Sequence, residues 1–267
     1  MPMHPFINIA LRAARKAGDT IERAAENIDQ LEILSKSSSD FVTEVDQAAE
    51  KEILYHLQKA YPEHAFICEE SGVIGDPKTA EYHWIIDPLD GTTNFIQGIG
   101  HYCVSIACLN KSGTVEHAVI YDPIKREEFT ASRGHGAQVN GRRLRVREKF
   151  EKHTALFATG IPFGNQSAED MQSFNQVLEA MSLGSAGVRR MGASALDLAY
   201  VAAGRFDSYW EKGIKPWDIA AGILLVQEAG GLVSDFNGGF DQMKTGKIVA
   251  GSPKAFKETL KAVQPMA

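Results

Sequence analysis

Two helical repeats, then a series of short apolar strands, then a strand–helix alternation follow one another along this 267-residue chain, and that succession restricts it to a layered fold. Ile7, Leu11, Ala14, Ile21, Ala25 and Ile28 recur at helical spacing, which predicts one amphipathic helix over 4–29 with Arg12, Arg15 and Lys16 on its wetter face. Lys36-Ser37-Ser38-Ser39-Asp40 reads as a polar breaker and a mobile loop. Val45, Ala49, Ile53 and Leu57 line one side of a second helix, which Tyr61-Pro62 ends; Thr43 with Asp46 resembles a capping box at its start. Strands are expected at 65–68, 83–86, 102–109, 115–121 and 127–131, with a hairpin at Asn110-Lys111-Ser112-Gly113 and a tight turn at Asn140-Gly141. Residues 65–145 therefore read as an antiparallel or mixed sheet. Beyond the charged stretch 149–152, strands near 155–157, 187–190, 206–210, 232–235 and 248–250 alternate with helices at 168–181, 194–203, 216–229 and 253–263. The expectation is an N-terminal α+β domain over 1–149 and a C-terminal α/β domain over 150–267, together an α+β or α/β layered protein.

Bulk properties exclude several classes. No apolar stretch reaches the roughly 18 residues of a membrane span, and no secretory signal is visible, so a cytoplasmic protein with no membrane contact is expected. With 34 acidic and 28 basic side chains the formal charge is −6, whereas a stand-alone nucleic-acid binder is more often basic. Cys68, Cys103 and Cys108 are odd in number and widely spaced, which suits buried thiols in a reducing compartment rather than a disulfide framework. The histidines are scattered, against a zinc site built on neighbouring ones.

The chemistry concentrates in Asp87-Pro88-Leu89-Asp90-Gly91-Thr92-Thr93-Asn94-Phe95, which follows the apolar Trp84-Ile85-Ile86. Two carboxylates three residues apart, with no base between them, repel each other unless a hard cation such as Mg2+ intervenes. The Gly-Thr-Thr that follows offers amide N–H groups and hydroxyls to an anion, and metal beside anion points to phosphate. A plain Asp-Pro turn is the alternative. Glu69-Glu70-Ser71-Gly72 also leaves a buried strand, so its loop can meet the first; a solvated acidic pair is the alternative. Trp217-Asp218-Ile219-Ala220-Ala221-Gly222 opens a helix, where Asp218 either complements the dipole or is held for catalysis. Patterns for a hydrolase elbow, a dinucleotide fold and a P-loop are absent.

These three motifs, in this order and spacing, resemble the inositol monophosphatase family over nearly the whole chain. Arg189-Arg190-Met191-Gly192 and 195–205 resemble its bacterial SuhB type. The resemblance implies an αβαβα sandwich, usually dimeric, and a lithium-sensitive, Mg2+-dependent phosphomonoesterase. By motif match Glu69, Asp87 and the Leu89 carbonyl would hold one metal, and Asp87, Asp90 and Asp218 a second. Asp46 and the loop around Lys36 would lie near a weaker third site, helix capping being the equal alternative for Asp46. Gly91, Thr92 and Thr93 would bind phosphate. Gly192, Ala193, Ser194 and Glu211 would line the sugar pocket, with Arg189 near it. Many animal members carry Gly-Thr-Ala where this chain has Gly192-Ala193-Ser194, which bears on substrate preference. Glu69, Asp87, Asp90, Thr92 and Asp218 are the expected catalytic set, and Asp90→Asn the expected inactivating change that spares the fold. Inositol 1-phosphate or another small polyol or sugar phosphate is the expected substrate. The same resemblance implies a different role, in ribosomal RNA transcription antitermination with Nus factors and RNA polymerase. Arg142-Arg143-Leu144-Arg145-Val146-Arg147 is the sequence's one hint of such a surface, or else a charge-protected edge strand.

Overall fold

In β5 (Tyr82–Asp90) the side chains of Trp84 and Ile86 point to one side of the sheet and Ile85 to the other, and all three are buried. A strand buried on both faces must be covered on both, and this requirement organises the chain. The computed structural model describes residues 3–26, 33–37, 40–162 and 167–267, with backbone alone for 33–37 and 40–43. Helices α1 (Pro5–Ala25) and α2 (Glu44–Ala60) pack their apolar stripes, Ile7, Leu11, Ala14, Ile21, Val45, Ile53 and Leu57, on Trp84, Ile86 and Ile106. Helices α5 (Ser194–Ala202) and α6 (Pro216–Glu228) cover the opposite face.

The large sheet has eight strands, made of β5 with β3 (Ala65–Cys68), β4 (Gly72–Ile74), β6 (Cys103–Asn110), β7 (Val115–Asp122), β8 (Glu127–Ser132), β9 (Gly136–Val139) and β10 (Arg142–Arg143), in the order β10-β9-β8-β7-β6-β5-β3-β4. Only β3 and β5 run parallel; the other neighbours are antiparallel. The second sheet, β12-β11-β13-β15-β14, is formed by β11 (Leu156–Thr159), β12 (Gly187–Arg189), β13 (Ser208–Lys212), β14 (Leu232–Ser234) and β15 (Lys247–Gly251). Its alternation repeats the logic: Ala158, Tyr209 and Ala250 face α5 and α6, while Phe157, Trp210 and Val249 face α4 (Ala168–Ser182) and α8 (Pro253–Ala262). The layers run helices, sheet, helices, sheet, helices, the αβαβα sandwich that the resemblance implied. The middle helices are almost wholly buried, so the largest apolar cluster draws on residues from both sides of position 150. No helix among the described residues is long and apolar enough to cross a membrane.

Several expectations change. The first helix ends at Ala25, and the expected turn beyond it falls on 27–29, outside the described residues. The supposed mobile loop at 36–40 is flanked by paired strands, β1 (Ile33–Ser37) against β2 (Asp40–Thr43), with Leu34 opposite Val42; positions 38 and 39 lie outside the described residues. Apolar pairs on either side of a polar turn make a hairpin, and attention to the serines alone missed them. The Thr43 side chain is also outside the described residues, so the capping box with Asp46 is too. The short strands β4 and β9 and the four-residue α7 (Gln242–Thr245) were missed, because elements this short carry no period, whereas β10 is an edge strand, the alternative read for the arginine run at 142–147. Asn140 and Gly141 adopt φ of 49° and 76° in the expected tight turn.

Where α5 and α6 cross, Gly222 leaves no room for a side chain: an added Cβ would stand 2.5 Å from both Leu198 Cβ and Cδ1. Helix propensity would favour alanine there by about 0.5–1 kcal/mol, but overpacking costs roughly 1–3 kcal/mol. Gly222→Ala is therefore expected to lower stability by about 1 kcal/mol or more in urea unfolding; an equal or higher unfolding midpoint would show that the two helices can part at no cost.

Candidate active site

The parallel pairing of β3 with β5 brings two acidic strand ends to one place. Cys68 stands opposite Ile86, and one residue further the Glu69 amide donates to the Ile86 carbonyl at 3.1 Å, so Glu69 leaves the sheet beside Asp87. The β5–β6 ladder shifts register between Asp87 and Asp90, where Pro88 has no N–H to give. Asp87 turns back on its own backbone, its Oδ1 accepting from the Leu89 amide at 3.0 Å. Gly91 takes φ of 99° and starts the five-residue α3 (Thr92–Ile96), while 87–90 stay within β5 rather than forming the plain Asp-Pro turn that was the alternative. A Cβ on Gly91 would lie 3.0 Å from the His101 carbonyl oxygen. The Thr92 hydroxyl stands 3.0 Å from Asp46 Oδ1 and 3.1 Å from the Leu89 carbonyl, so Asp46 reaches into the site from α2. The Asn94 amide donates to the carbonyls of His101 and Met191, both at 2.8 Å, and ties the loop to the second half of the chain.

Asp90 makes the firmest crossing. Its Oδ1 accepts from the Ser194 amide at 3.2 Å and its Oδ2 from the Ala195 amide at 2.7 Å, so it caps the N-terminus of α5. Asp218, in the first turn of α6, accepts from the Lys215 amide at 2.6 Å. The Ser105 hydroxyl of β6 donates to the Trp217 carbonyl at 3.2 Å and holds that helix start against the large sheet. Both strand ends of the large sheet and both helix starts of the middle layer thus converge.

Among the described residues, the charges acting on Asp87 are all carboxylates. Burial raises Asp87 well above the usual carboxylate range, and Glu69, Asp90 and Asp218 raise it further. Burial pushes Asp90 up to about 7 against the opposing pull of the Ala195 N–H, with Asp197 and Glu211 adding to the rise. Burial likewise raises Asp218 well above its ordinary value, with Asp90 and Glu69 contributing. Among the described residues, no three His, Cys, Asp or Glu side chains already stand in the arrangement of an ion's ligands. The chemistry of the donor set nevertheless suits a hard divalent cation, since every charge named as raising Asp87 is another carboxylate.

Glu211 lies on β13, buried, where its Oε2 accepts from the Ser194 hydroxyl at 2.9 Å and, in a closer contact, from the Tyr209 hydroxyl. Burial raises its pKa, and these two hydrogen bonds work against the rise. Gly160 makes the space for it: a Cβ there would fall 1.8 Å from Glu211 Oε1. Gly192 takes φ of 85° before the α5 start, and Ala193 is the N-cap residue. Arg189 is exposed and bends back to the Val188 carbonyl at 3.2 Å; the guanidinium whose charge reaches Glu211 is that of Arg190.

Sequence reasoning missed Glu50, Tyr209 and Gly160. For Glu50 a signal existed: it stands four residues after Asp46 on a helix, in line with the apolar Val45, Ala49 and Ile53, and both acids are buried. Gly160 carried none, since its role depends on a contact with a residue 51 positions later, and Tyr209, two positions before Glu211 on the same strand, has no motif of its own.

Fold and site together define a class: a layered αβαβα protein with an acidic cleft where the strands of one sheet meet the helix starts of the middle layer. The chain belongs to the inositol monophosphatase family, whose model matches residues 2–266. It is 53% identical over 264 residues to the Nus factor SuhB of Pseudomonas aeruginosa, covering 98% of this chain and 97% of that protein. To the Nus factor SuhB of Escherichia coli K12 it is 50% identical over 258 residues, 97% and 95% of the two chains. The crystal structure of the extragenic suppressor protein suhB from Bartonella henselae matches with a TM-score of 0.93 at 40% identity, covering 98% and 99%. An inositol monophosphatase from Anabaena matches at 0.81 and 35% identity, covering 97% and 94%.

The raised carboxyls give a signed dependence on pH. An acid with its pKa higher folded than unfolded stabilises below its unfolded value, near 4, and loses that contribution as pH rises through the folded value, about 7 for Asp90. With a chelator present, the melting temperature is expected to fall between pH 5.5 and pH 8. Saturating Mg2+ should raise it more at pH 8 than at pH 5.5; at pH 8, Mg2+ at one hundred times its Kd there adds about 2.7 kcal/mol of stability. A chelator-treated protein whose melting ignores both pH and Mg2+ would remove the charge cluster as a physical fact.

Proposed function

We propose that this protein is a Mg2+-dependent phosphomonoesterase that hydrolyses inositol 1-phosphate or a related small polyol or sugar phosphate, and that it works as a cytoplasmic, lithium-sensitive dimer. The observation that carries the reading is the meeting of Glu69, Asp87, Asp90 and Asp218, where, among the described residues, the charges acting on Asp87 are all carboxylates. These four, with the Leu89 carbonyl, would hold Mg2+. Bound there, the ion would neutralise phosphoryl charge and acidify water, the help that a slow phosphate ester hydrolysis needs.

The chain's own groups do the rest. Glu69 and the Thr92 hydroxyl orient the attacking water. The 3.0 Å contact of Thr92 with Asp46 gives that water's proton a path through the hydroxyl to a buried carboxylate. Gly91, Thr92 and Thr93 meet the phosphate oxygens at the start of α3. A water held near Asp218 returns a proton to the departing alkoxide. On the alcohol side, Gly192, Ala193 and Ser194 line the pocket, and Glu211, pinned by Ser194 and Tyr209, accepts hydrogen bonds from substrate hydroxyls.

A second reading rests on the relatives named Nus factor SuhB, at 53% and 50% identity over nearly the whole chain. It assigns the protein a contact with Nus factors and RNA polymerase. Arg142, Arg143 and Arg145 stand exposed at the edge of the large sheet, while Arg147 pairs with Asp207 at 3.2 Å. Retention of RNA polymerase from lysate on the immobilised protein tests this role, and the two roles can coexist.

The enzyme is tested by phosphate release from inositol 1-phosphate and a sugar-phosphate panel across a Mg2+ titration. Asp90→Asn is a poorer control than the sequence suggested, because it also replaces one of the oxygens that cap α5. Asp87→Asn keeps the Oδ1 that accepts from Leu89 and removes the charge, exchanging the other oxygen, on the Glu69 side, for an NH2. It is expected to cut turnover by at least about 100-fold while leaving the circular dichroism spectrum unchanged; near-normal turnover would refute the assignment.

A further inference from the structure

Glu50 lies in α2, 1% exposed, outside the set of residues that the proposed chemistry uses. Its Oε2 accepts from the Glu70 amide at 2.9 Å. Its Oε1 accepts from the Ser71 amide at 2.8 Å and, more closely, from the Ser71 hydroxyl. One buried carboxylate thus grips the two residues that immediately follow Glu69. On the other side, the Glu69 amide is fixed to the Ile86 carbonyl of β5. Glu69 is therefore pinned between the sheet and a helix, with a clamp on each flank.

The grip is a matter of geometry as well as packing. Taking a carboxylate out of water costs several kcal/mol, and charge-assisted hydrogen bonds from amides repay that only where donors are fixed in place. The three donors named here all come from the loop that carries Glu69. The same loop backs onto a cleft of about 630 Å³, lined by Glu50, Lys51, Tyr55, Glu70 and Ser71 among others. Without the clamp the loop would face an opening on that side rather than packed protein, and Glu69 would be free to swing from Asp87.

We infer that Glu50 is a positioning residue: by holding the Glu70 and Ser71 amides it fixes the Glu69 carboxylate beside Asp87, and so sets the protein's affinity for divalent cations. This rests on the phosphatase reading for the cation, and on the hydrogen bonds for the placement. The contribution is selective. It acts on cation affinity and turnover, and leaves binding of the alcohol part of the substrate, on the Glu211 side, unchanged.

The test compares the full chain with Glu50→Gln, which keeps the shape but turns one of the two acceptor oxygens into an NH2 donor. Binding of Mn2+ alone is measured by electron paramagnetic resonance, and amide exchange at Glu70 and Ser71 by NMR or mass spectrometry. Mn2+ Kd is expected to rise about 10–100-fold, the range seen when residues behind a metal's ligands are altered. Exchange at the two amides should quicken, and the substrate KM at saturating Mg2+ should stay within about twofold. Ser71→Ala, which removes one of the three donors and keeps the carboxylate, serves should Glu50→Gln fail to fold; its expected effect is the same in kind, at about three- to tenfold on Kd. A folded Glu50→Gln protein with unchanged Mn2+ affinity, or both effects confined to lower thermal stability, would overturn the inference. A wild-type chain that binds no Mn2+ would instead overturn the proposed function, a failure visible before any variant is made.

Discussion

The bond between Asp90 and the first amides of α5 is the interaction on which the rest of the architecture turns. It joins the end of the central strand of the large sheet to a helix more than one hundred residues later, at 2.7 and 3.2 Å. Amides at a helix start lack partners within the helix and sit at the positive end of its dipole, so a carboxylate there is held more firmly than a neutral acceptor would be. The bond thereby satisfies the helix, orients Asp90 and places α5 against the sheet. Asn94 repeats the connection at Met191, and Ser105 does so at Trp217. The middle helices are thus seated from the acidic end of the sheet.

That seating concentrates like charge, and the concentration is a local conflict in an otherwise consistent fold. Elsewhere the layers agree with their sequence: β5, β6, β7, β11, β13 and β15 alternate between two apolar clusters, and α1, α2 and α4 turn an apolar stripe inward. At the strand ends, burial and mutual repulsion drive Asp87, Asp90 and Asp218 toward the protonated form. Natural proteins concede such conflicts at functional sites and meet the cost elsewhere. Here the buried α5–α6 packing around Gly222 and Leu198 supplies rigidity close to the place where charge works against it.

Supporting residues extend the same logic outward. Glu50 braces the Glu69 loop from α2, and Asp46, one helical turn before it, reaches Thr92. Tyr209 and Ser194 fix the Glu211 carboxylate, and Gly160 leaves it the space to lie there. Except for Tyr209 with Glu211, none of these contacts is local in sequence. Each of the others joins a residue of a helix or strand to a residue at the end of an element packed beside it.

Most strands and nearly every long helix were legible from periodicity, because burial on one or two faces leaves a repeat of two or of 3.6 residues in the chain, while the order of the layers came from the family resemblance. Helix α4 and the strand β3 were placed almost to the residue. The acidic motifs were legible because three of them end or begin elements and lack nearby bases. What periodicity could not register was the pairing of β1 with β2, the closing of Thr92–Ile96 into a helix, and the edge strand β4, which is too short to repeat. By itself the sequence determined the layered fold, the family and the identity of the acidic residues. Only the tertiary structure decided that Asp90 caps α5, that Arg190 rather than Arg189 projects its charge onto Glu211, and that Glu50 holds the neighbouring loop. The reason is physical: a side chain's chemical type is written at its own position, whereas its partner is set by how layers distant in sequence pack together.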